Sequence, residues 1–197
     1  LKFKTGFALA FYAPSITSSI ALSAVWLYFF SPDRYGLLND LLYSLGIINS
    51  PILWTTDPQY IFIVVVIITL WMSMGTGFLT FLAGIQNVSA ELYEAGMIDG
   101  VRNKFQQLIY ITLPSMKPQL LFGVINAVAS SFGAFDIVVA VAGIPSPNYA
   151  AHTLVAHLYD HAFLQFEMGY ASAVAVVLFV LTYSVGSIFR KILASDD

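Results

Sequence analysis

The sequence predicts an all-α, polytopic membrane protein, and three observations carry that prediction. Of 197 residues, 58% are hydrophobic and 10% charged, where an ordinary soluble domain carries about a quarter charged residues. Mean hydropathy is +0.80, which again sets the chain apart from a soluble core. Four stretches, 5–32, 58–90, 118–135 and 168–189, hold no charged side chain. Roughly 20 apolar residues of helix cross a hydrocarbon core, where every backbone N–H must be bonded within its own segment. The runs therefore predict helices over about 7–30, 60–85, 118–141 and 168–190 in a single domain, 1–197. A porin-like barrel would need alternating strands of about ten residues, and that alternation is missing. Cysteine is absent, which excludes disulfides and thiolate metal sites.

The first helix follows Lys2 and Lys4. It is too long for the apolar core of a signal peptide and lacks a small-residue cleavage site. With Leu1 in place of a methionine, the expectation is a fragment that starts inside a larger protein. Between the first two spans, LLNDLLYSLGI (37–47) has apolar residues at helical spacing and predicts a short amphipathic helix at a membrane interface. Of the eight Lys and Arg residues, only Arg34 falls in this connection or in 142–167. Four spans put Lys2, Lys4, Arg102, Lys104, Lys117, Arg190 and Lys191 on one side, which the positive-inside bias makes cytoplasmic. Both ends of the chain are then cytoplasmic, and connections 31–59 and 142–167 are external.

The connection between the second and third spans is the most polar, and it holds ELYEAGMIDG (91–100). Ser89 is placed to cap a helix near 89–99, with Glu91 in the first turn where the helix dipole favours an anion. Leu92, Ala95 and Ile98 form a narrow apolar stripe, and Gly100 can adopt the left-handed conformation that ends the helix. The segment 101–113 predicts a further helix with Val101, Phe105, Leu108 and Thr112 on one face. Leu113, ahead of Pro114, is expected to leave the helix, and Pro118 to begin the next span. On these features alone the connection is either a surface loop or a docking helix too short to stand by itself.

YEAGMIDGVRNKFQQLIYITLPSMKP (93–118) resembles the E-A-A-x-x-x-D-G … L-P motif of permease subunits of ABC importers. Glu94-Ala95-Gly96, Asp99-Gly100 and Leu113-Pro114 match in order and spacing. Gly96 stands where alanine is usual, which should loosen the helix by about 1 kcal/mol. The resemblance extends along nearly the whole chain to the carbohydrate-importing group related to maltose and glycerol-phosphate permeases. FYAPSITSSIALSAVWLYFF, GLLNDLLYSLGI, WTTDPQY, FLAGIQNVSAELYEAG and FDIVV all look like its blocks, although Gly143-Ile144-Pro145 replaces the usual G-G-P.

The resemblance implies a type I ABC importer transmembrane domain, with four of about six spans present in this chain. It also implies a second permease subunit, two ATP-binding subunits that hold ATP and Mg, an extracytoplasmic solute-binding protein, and a sugar or oligosaccharide substrate. Glu91, Glu94, Ala95, Gly96, Asp99 and Gly100 would then form the coupling helix on which the ATPase pulls. This chain would be no enzyme. It has no G-x-x-x-x-G-K-[ST] loop, and Gly75-Thr76-Gly77 lies in an apolar span with no lysine following. No nucleic-acid partner is implied.

A sugar site should offer aromatic faces and neutral hydrogen-bonding groups lining a wet cavity. The second span offers Thr69, Trp71, Ser73 and Thr76, and the third offers Asn126, Ser130 and Ser131. Asn126 and Ser130, four apart, share a face. Small polar residues also serve as glue between membrane helices, which suits Ser131. The resemblance places Trp71, Ser73, Asn126 and Ser130 at sugar-contacting positions, with Trp71 and Asn126 facing one cavity. Asp136, the one carboxylate well inside an apolar run, is assigned a structural or gating role. His152, His157 and His161 lie close in sequence to Asp160, but the local set lacks Cys and Glu, and no metal site is expected. Two other classes compete: an ion-coupled secondary transporter, which the scarcity of charges in the spans disfavours, and a membrane scaffold with a docking helix. An ABC permease for a solute other than a sugar is a further alternative.

Overall fold

The computed structural model describes residues 4–132 and 134–194; Leu1 and Lys2 lie outside the described residues. In chain order the helices are α1 (Lys4–Ile16), α2 (Ser19–Phe29), α3 (Leu37–Ser44), α4 (Pro58–Asn87) and α5 (Ala90–Ile98). There follow α6 (Lys104–Gln107), a π-helical turn (Leu108–Thr112), α7 (Leu113–Ser115), α8 (Lys117–Phe132) and α9 (Asp136–Ala142). A 3₁₀ turn (Pro147–Tyr149), α10 (Leu154–Tyr159), a second π turn (Asp160–Leu164) and α11 (Met168–Ala194) complete the chain. No strand occurs among the described residues.

Two of these helices, Pro58–Asn87 and Met168–Ile192, are by themselves long and apolar enough to cross a membrane. The helix expected over 7–30 is instead two pieces meeting at 112°. Pro14 removes a backbone donor inside α1, and the hydroxyls of Ser15 and Thr17 bond back to the carbonyls of Tyr12 and Ala13. Both effects weaken the helical ladder, and Ser18 then leaves it with ψ 130°. The helix expected over 118–141 is likewise interrupted after Phe132 and restarts at Asp136, whose carboxylate suits a first turn. At its other end α8 is bent by 75° from the 104–115 segment.

The 101–113 helix is also corrected. Leu113 stays helical (φ −61°, ψ −44°) because it opens the short α7 and Pro114 falls in the first turn, where a missing N–H costs little. Ile111 and Thr112 are the buried pair, while Phe105 and Leu108 are exposed. The π turn shifts the face that a regular helix would have buried. The expected 37–47 helix stops at Ser44, with Gly46 at φ +70°.

α4 is the central element. Asp57 caps it by accepting from the Gln59 N–H at 2.9 Å, with Pro58 in the first turn. One side of α4 packs on α1, and others pack on α8 and α9. At Gly75 a Cβ would fall 2.5 Å from Ser15 Oγ, so the α1–α4 crossing depends on a missing side chain. Ile61, Val64, Val65 and Ile68 of α4 form a core with Phe30, Ile137, Val138, Val141 and Ala156 at the end of the bundle that carries α3.

Asn39 organises that end. It is buried, and its amide nitrogen lies 3.0–3.2 Å from the carbonyls of Ser31, Asp33 and Ile52. Its oxygen accepts from the Ile52 N–H and from Trp54 Nε1 at 2.8 Å. One side chain thus satisfies backbone on both flanks of α3 and fixes the helix against the spans. Trp26, Phe29, Phe30, Trp54 and Tyr60 stack in a continuous cluster beside it, as aromatic rings do near a membrane interface. The apolar side chains of α11, among them Val176, Phe179, Val180 and Tyr183, are exposed, which suits a surface solvated by lipid.

Candidate functional site

Two constellations are arranged around α4, one beyond its C-terminal end and one along its side. The first is α5. Ser89 occupies its N-cap position with extended backbone, but its side chain makes no capping bond. Glu91 lies in the first turn, and Glu91, Glu94 and Ala95 are exposed. At the other end Asp99 is the C-cap and Gly100 follows at φ +94°. The Gly100 N–H donates to Met97 O at 3.3 Å, and the Val101 N–H donates to Gly96 O at 2.8 Å. This paired pattern is a Schellman motif, and it needs a left-handed residue where Gly100 stands.

The inner side of α5 is clasped onto the first π turn. Tyr93 Oη and Thr112 Oγ1 are hydrogen-bonded at 2.9 Å, and Gly96 is buried against Ile111. Opposite the clasp stand Glu91, Glu94, Ala95 and Ile98, with Ile98 88% exposed, while Leu92 and Met97 are exposed on the flanks. A short helix tied down from behind thus presents its two glutamates and Ile98 outward.

The second constellation is a row of small cavities along one face of α4. Thr69, Ser73, Thr76 and Thr80 recur at i, i+4, i+7 and i+11, so they share that face. One cavity, of about 140 Å³, brings Ser73, Thr76 and Thr80 together with Asn126 and Ser130 of α8. A second, of about 250 Å³, shares Ser73 and Ser130 with the first and adds Ser19, Thr69 and Asp136. A third, of about 320 Å³, shares Thr69 and continues to Ser131, His152 and Thr153.

Ser73, Asn126 and Ser130, expected to act together, therefore do meet. Trp71 does not join them, and its expected cavity with Asn126 is corrected. Positions 71 and 73 lie about 200° apart around a helix, so Trp71 turns toward α1 and α2. It packs edge-on against Trp26 at 5.3 Å and lines a separate cavity with Phe11, Pro14 and Met74.

Asp136 stands at the first turn of α9, where Ser19 Oγ donates to its carboxylate at 3.3 Å. It joins the two helix restarts, at α2 and α9. Thr80, Ser19, His152 and Thr153 were not singled out as cavity residues from the sequence. The spacing of Thr80 from Thr76 was a legible signal, whereas the others are brought in only by the helix breaks.

Among the described residues no three His, Cys, Asp or Glu side chains are placed to hold a metal ion. The histidines instead form a ring chain, His152 to His157 at 5.6 Å and His157 to His161 at 4.4 Å. His157 Nε2 bonds Tyr170 Oη at 3.1 Å, and His161 Nδ1 bonds Glu167 at 2.9 Å. Burial pushes the His152 imidazole below its ordinary range. His157 adds to that, Asp160 opposes it, and His161 contributes least.

Comparison with known proteins bears on the chain as a whole. The family model described as "Binding-protein-dependent transport system inner membrane component" matches residues 3–196. The arabinooligosaccharides transport system permease protein AraP of Bacillus subtilis is 33% identical over 195 residues, covering 99% of this chain and 61% of its own length. The lactose transport system permease protein LacF of Rhizobium radiobacter is 30% identical, covering 92% of this chain and 60% of its own. This chain thus spans about three fifths of the length of these relatives. A chain of a bacterial ABC transporter involved in the import of the acidic polysaccharide alginate superimposes with a TM-score of 0.85. It is 18% identical, and the match covers 99% of this chain and 67% of that one. At that identity the likeness establishes the fold.

Proposed function

The chain belongs to the family of binding-protein-dependent transport system inner membrane components, and on that premise we propose that it is the permease subunit of an ATP-driven sugar importer. The observation that carries this reading is α5: a short helix fixed to the bundle by Tyr93, Gly96 and the Gly100 turn, with Glu91, Glu94, Ala95 and Ile98 exposed on the opposite side. In this reading Glu91, Glu94, Ala95, Gly96, Asp99 and Gly100 form the coupling helix, and a separate subunit binds ATP and Mg. A pair of such ATPase subunits, closing on ATP, displaces α5 in each of two permease subunits. The clasp at Thr112 and Ile111 passes that displacement to α8, and the cavities along α4 open in turn to the two sides.

The cations Arg102 and Lys104 favour a cytoplasmic side for the α5 end, with the α3 end outside, where a solute-binding protein delivers substrate in this scheme. Ser73, Asn126 and Ser130 are the substrate contacts in this scheme, with lipid around α11. The names of the relatives, arabinooligosaccharides and lactose, support a sugar, and the absence of Lys and Arg from α4 and α8 beyond Lys117 favours a neutral one.

Uptake of labelled sugar into vesicles holding the full transporter tests this. We expect uptake that needs both ATP inside and the partner ATPase. Uptake driven by an ion gradient without the ATPase would instead establish a secondary transporter, and no uptake of any solute would leave a scaffold.

A further inference from the structure

Three consecutive residues hold a wall of the bundle at its α3 end, and the middle one is a histidine. Ala151 is buried in the core with Val64, Val65 and Val138. Thr153 Oγ1 donates to Ala134 O and accepts from the Ala156 N–H, both at 3.3 Å, which ties the start of α10 to the break after α8. Between them the His152 side chain is only 4% exposed, and neither ring nitrogen has a hydrogen-bond partner within the protein. Residues 150–153 thereby close one side of the 320 Å³ cavity beside α4.

A neutral imidazole tolerates that setting better than a charged one. An unpaired buried nitrogen forfeits a hydrogen bond, and an unpaired buried charge costs far more. Asp160 Oδ2, 3.9 Å from Nε2, is beyond hydrogen-bond reach. The other titratable groups around the ring are Tyr149 of the 3₁₀ turn at 5.0 Å, His157 of α10 at 5.6 Å, and His161 of the second π turn. Tyr170 and Glu167 join the cluster through His157 and His161. α4, α8 and α9 contribute only neutral side chains to this cavity.

We propose that His152 is an acid-released latch: protonation drives its ring out of the core and frees the 150–153 wall from α4, opening the cavity to the α3 side. The latch goes beyond the importer reading and is independent of the solute carried. Its direction follows from where the proton is welcome. Burial, then His157, push the shut His152 below its ordinary range, Asp160 opposes them, and His161 adds least. Above the ordinary histidine value of about 6.5 both the shut and the released ring are neutral, and the packed wall is favoured. As pH falls through that value, a released His152 takes a proton that the shut one refuses, so acid favours release until the shut form also titrates.

The test uses the assembled transporter in membrane vesicles. Ala151→Cys places a thiol in the buried wall, and Ser50→Cys, exposed in the connection after α3, serves as the reference. Both are labelled from the α3 side with a membrane-impermeant maleimide, and label on this chain is counted. Taking the ratio of the two rates removes the general effect of pH on thiol reactivity. From about pH 7.5 to about 4.5 the ratio should rise, by at most about tenfold per pH unit, the limit for one proton. In His152→Phe it should stay flat and low, and His152→Gln, which also cannot take the proton, should match it. Asp160→Asn should extend the rise further into acid, and His157→Gln should end it sooner. A flat ratio with His152 in place, or a rise that persists in His152→Phe or His152→Gln, overturns the latch. So does a shift of the same sign in Asp160→Asn and His157→Gln, which loosened packing alone would give. If neither variant at 152 assembles, that opposed pair decides. If Ser50→Cys reacts only from the other side, the proposed orientation fails, and the ratio read from that side still tests the latch.

Discussion

Gly100→Val is expected to abolish ATP-driven uptake while the protein still inserts and assembles. Gly100 sits at φ +94° and closes the Schellman turn that ends α5. A β-branched residue in that conformation costs on the order of 1–3 kcal/mol, enough to unseat the turn. α5 has nine residues, too few to remain helical without its ends held. Losing the turn frees Val101 and the start of α6, and the outward side of α5, with Glu91, Glu94 and Ile98, is no longer presented in one orientation. We expect uptake to fall roughly a hundredfold, the rate equivalent of about 3 kcal/mol. Gly100→Asn, which tolerates the left-handed region, should keep most of the activity. Normal uptake in a Gly100→Val, Asp99→Arg double variant would show that this helix does not couple.

Asn126→Ala should produce the opposite separation. Asn126 lines the cavity that also holds Ser73, Thr76 and Ser130, and an amide offers both donors and acceptors to substrate hydroxyls. Removing one buried polar contact costs about 1–3 kcal/mol, or a ten- to hundredfold drop in uptake. Assembly with the ATPase and its basal hydrolysis should be unaffected, because the coupling helix is untouched. Uptake equal to that of the unmodified protein removes Asn126 from the site. Loss of assembly would instead mark it as a packing residue between helices. Trp71 now belongs to a different experiment. Since it packs on Trp26 rather than facing Asn126, Trp71→Ala should act through the α1–α2 packing.

These two residues also mark how far the sequence can be read. Membrane class, the place of α4 and α11, and the position of α5 follow from hydrophobic run length and from the few charges, which are properties of composition over many residues. The end of α5 was legible at Gly100 because a single residue type dominates that turn. The breaks at Ser18 and before Asp136 were not legible, because serine and proline are tolerated in membrane helices and only the competition among neighbouring hydroxyls decides where a helix yields. Those breaks draw Ser19 and Asp136 together and bring Thr153 and His152 over α4. Trp71 was misjudged because membership of the same span was taken for membership of the same face; two residues of separation reverse the direction.

The contact between Gly96 and Ile111 makes two distant positions share one allowance of space. A Cβ at residue 96 would fall 2.5 Å from Ile111 Cδ1, the far end of a side chain able to shift, and 3.7 Å from Val101 Cγ2. Alanine at 96 and isoleucine at 111 therefore compete for the same methyl-sized volume. In inheritance terms the pair is expected to vary by exchange. Gly96→Ala alone should weaken the clasp, and Gly96→Ala with Ile111→Val should restore it, read as recovery of uptake and of thermal stability. Additive losses in the double variant would show that the two sites vary independently. Where the exchange holds, a change at position 96 of α5 persists only with its counterpart at position 111, so the two positions drift together.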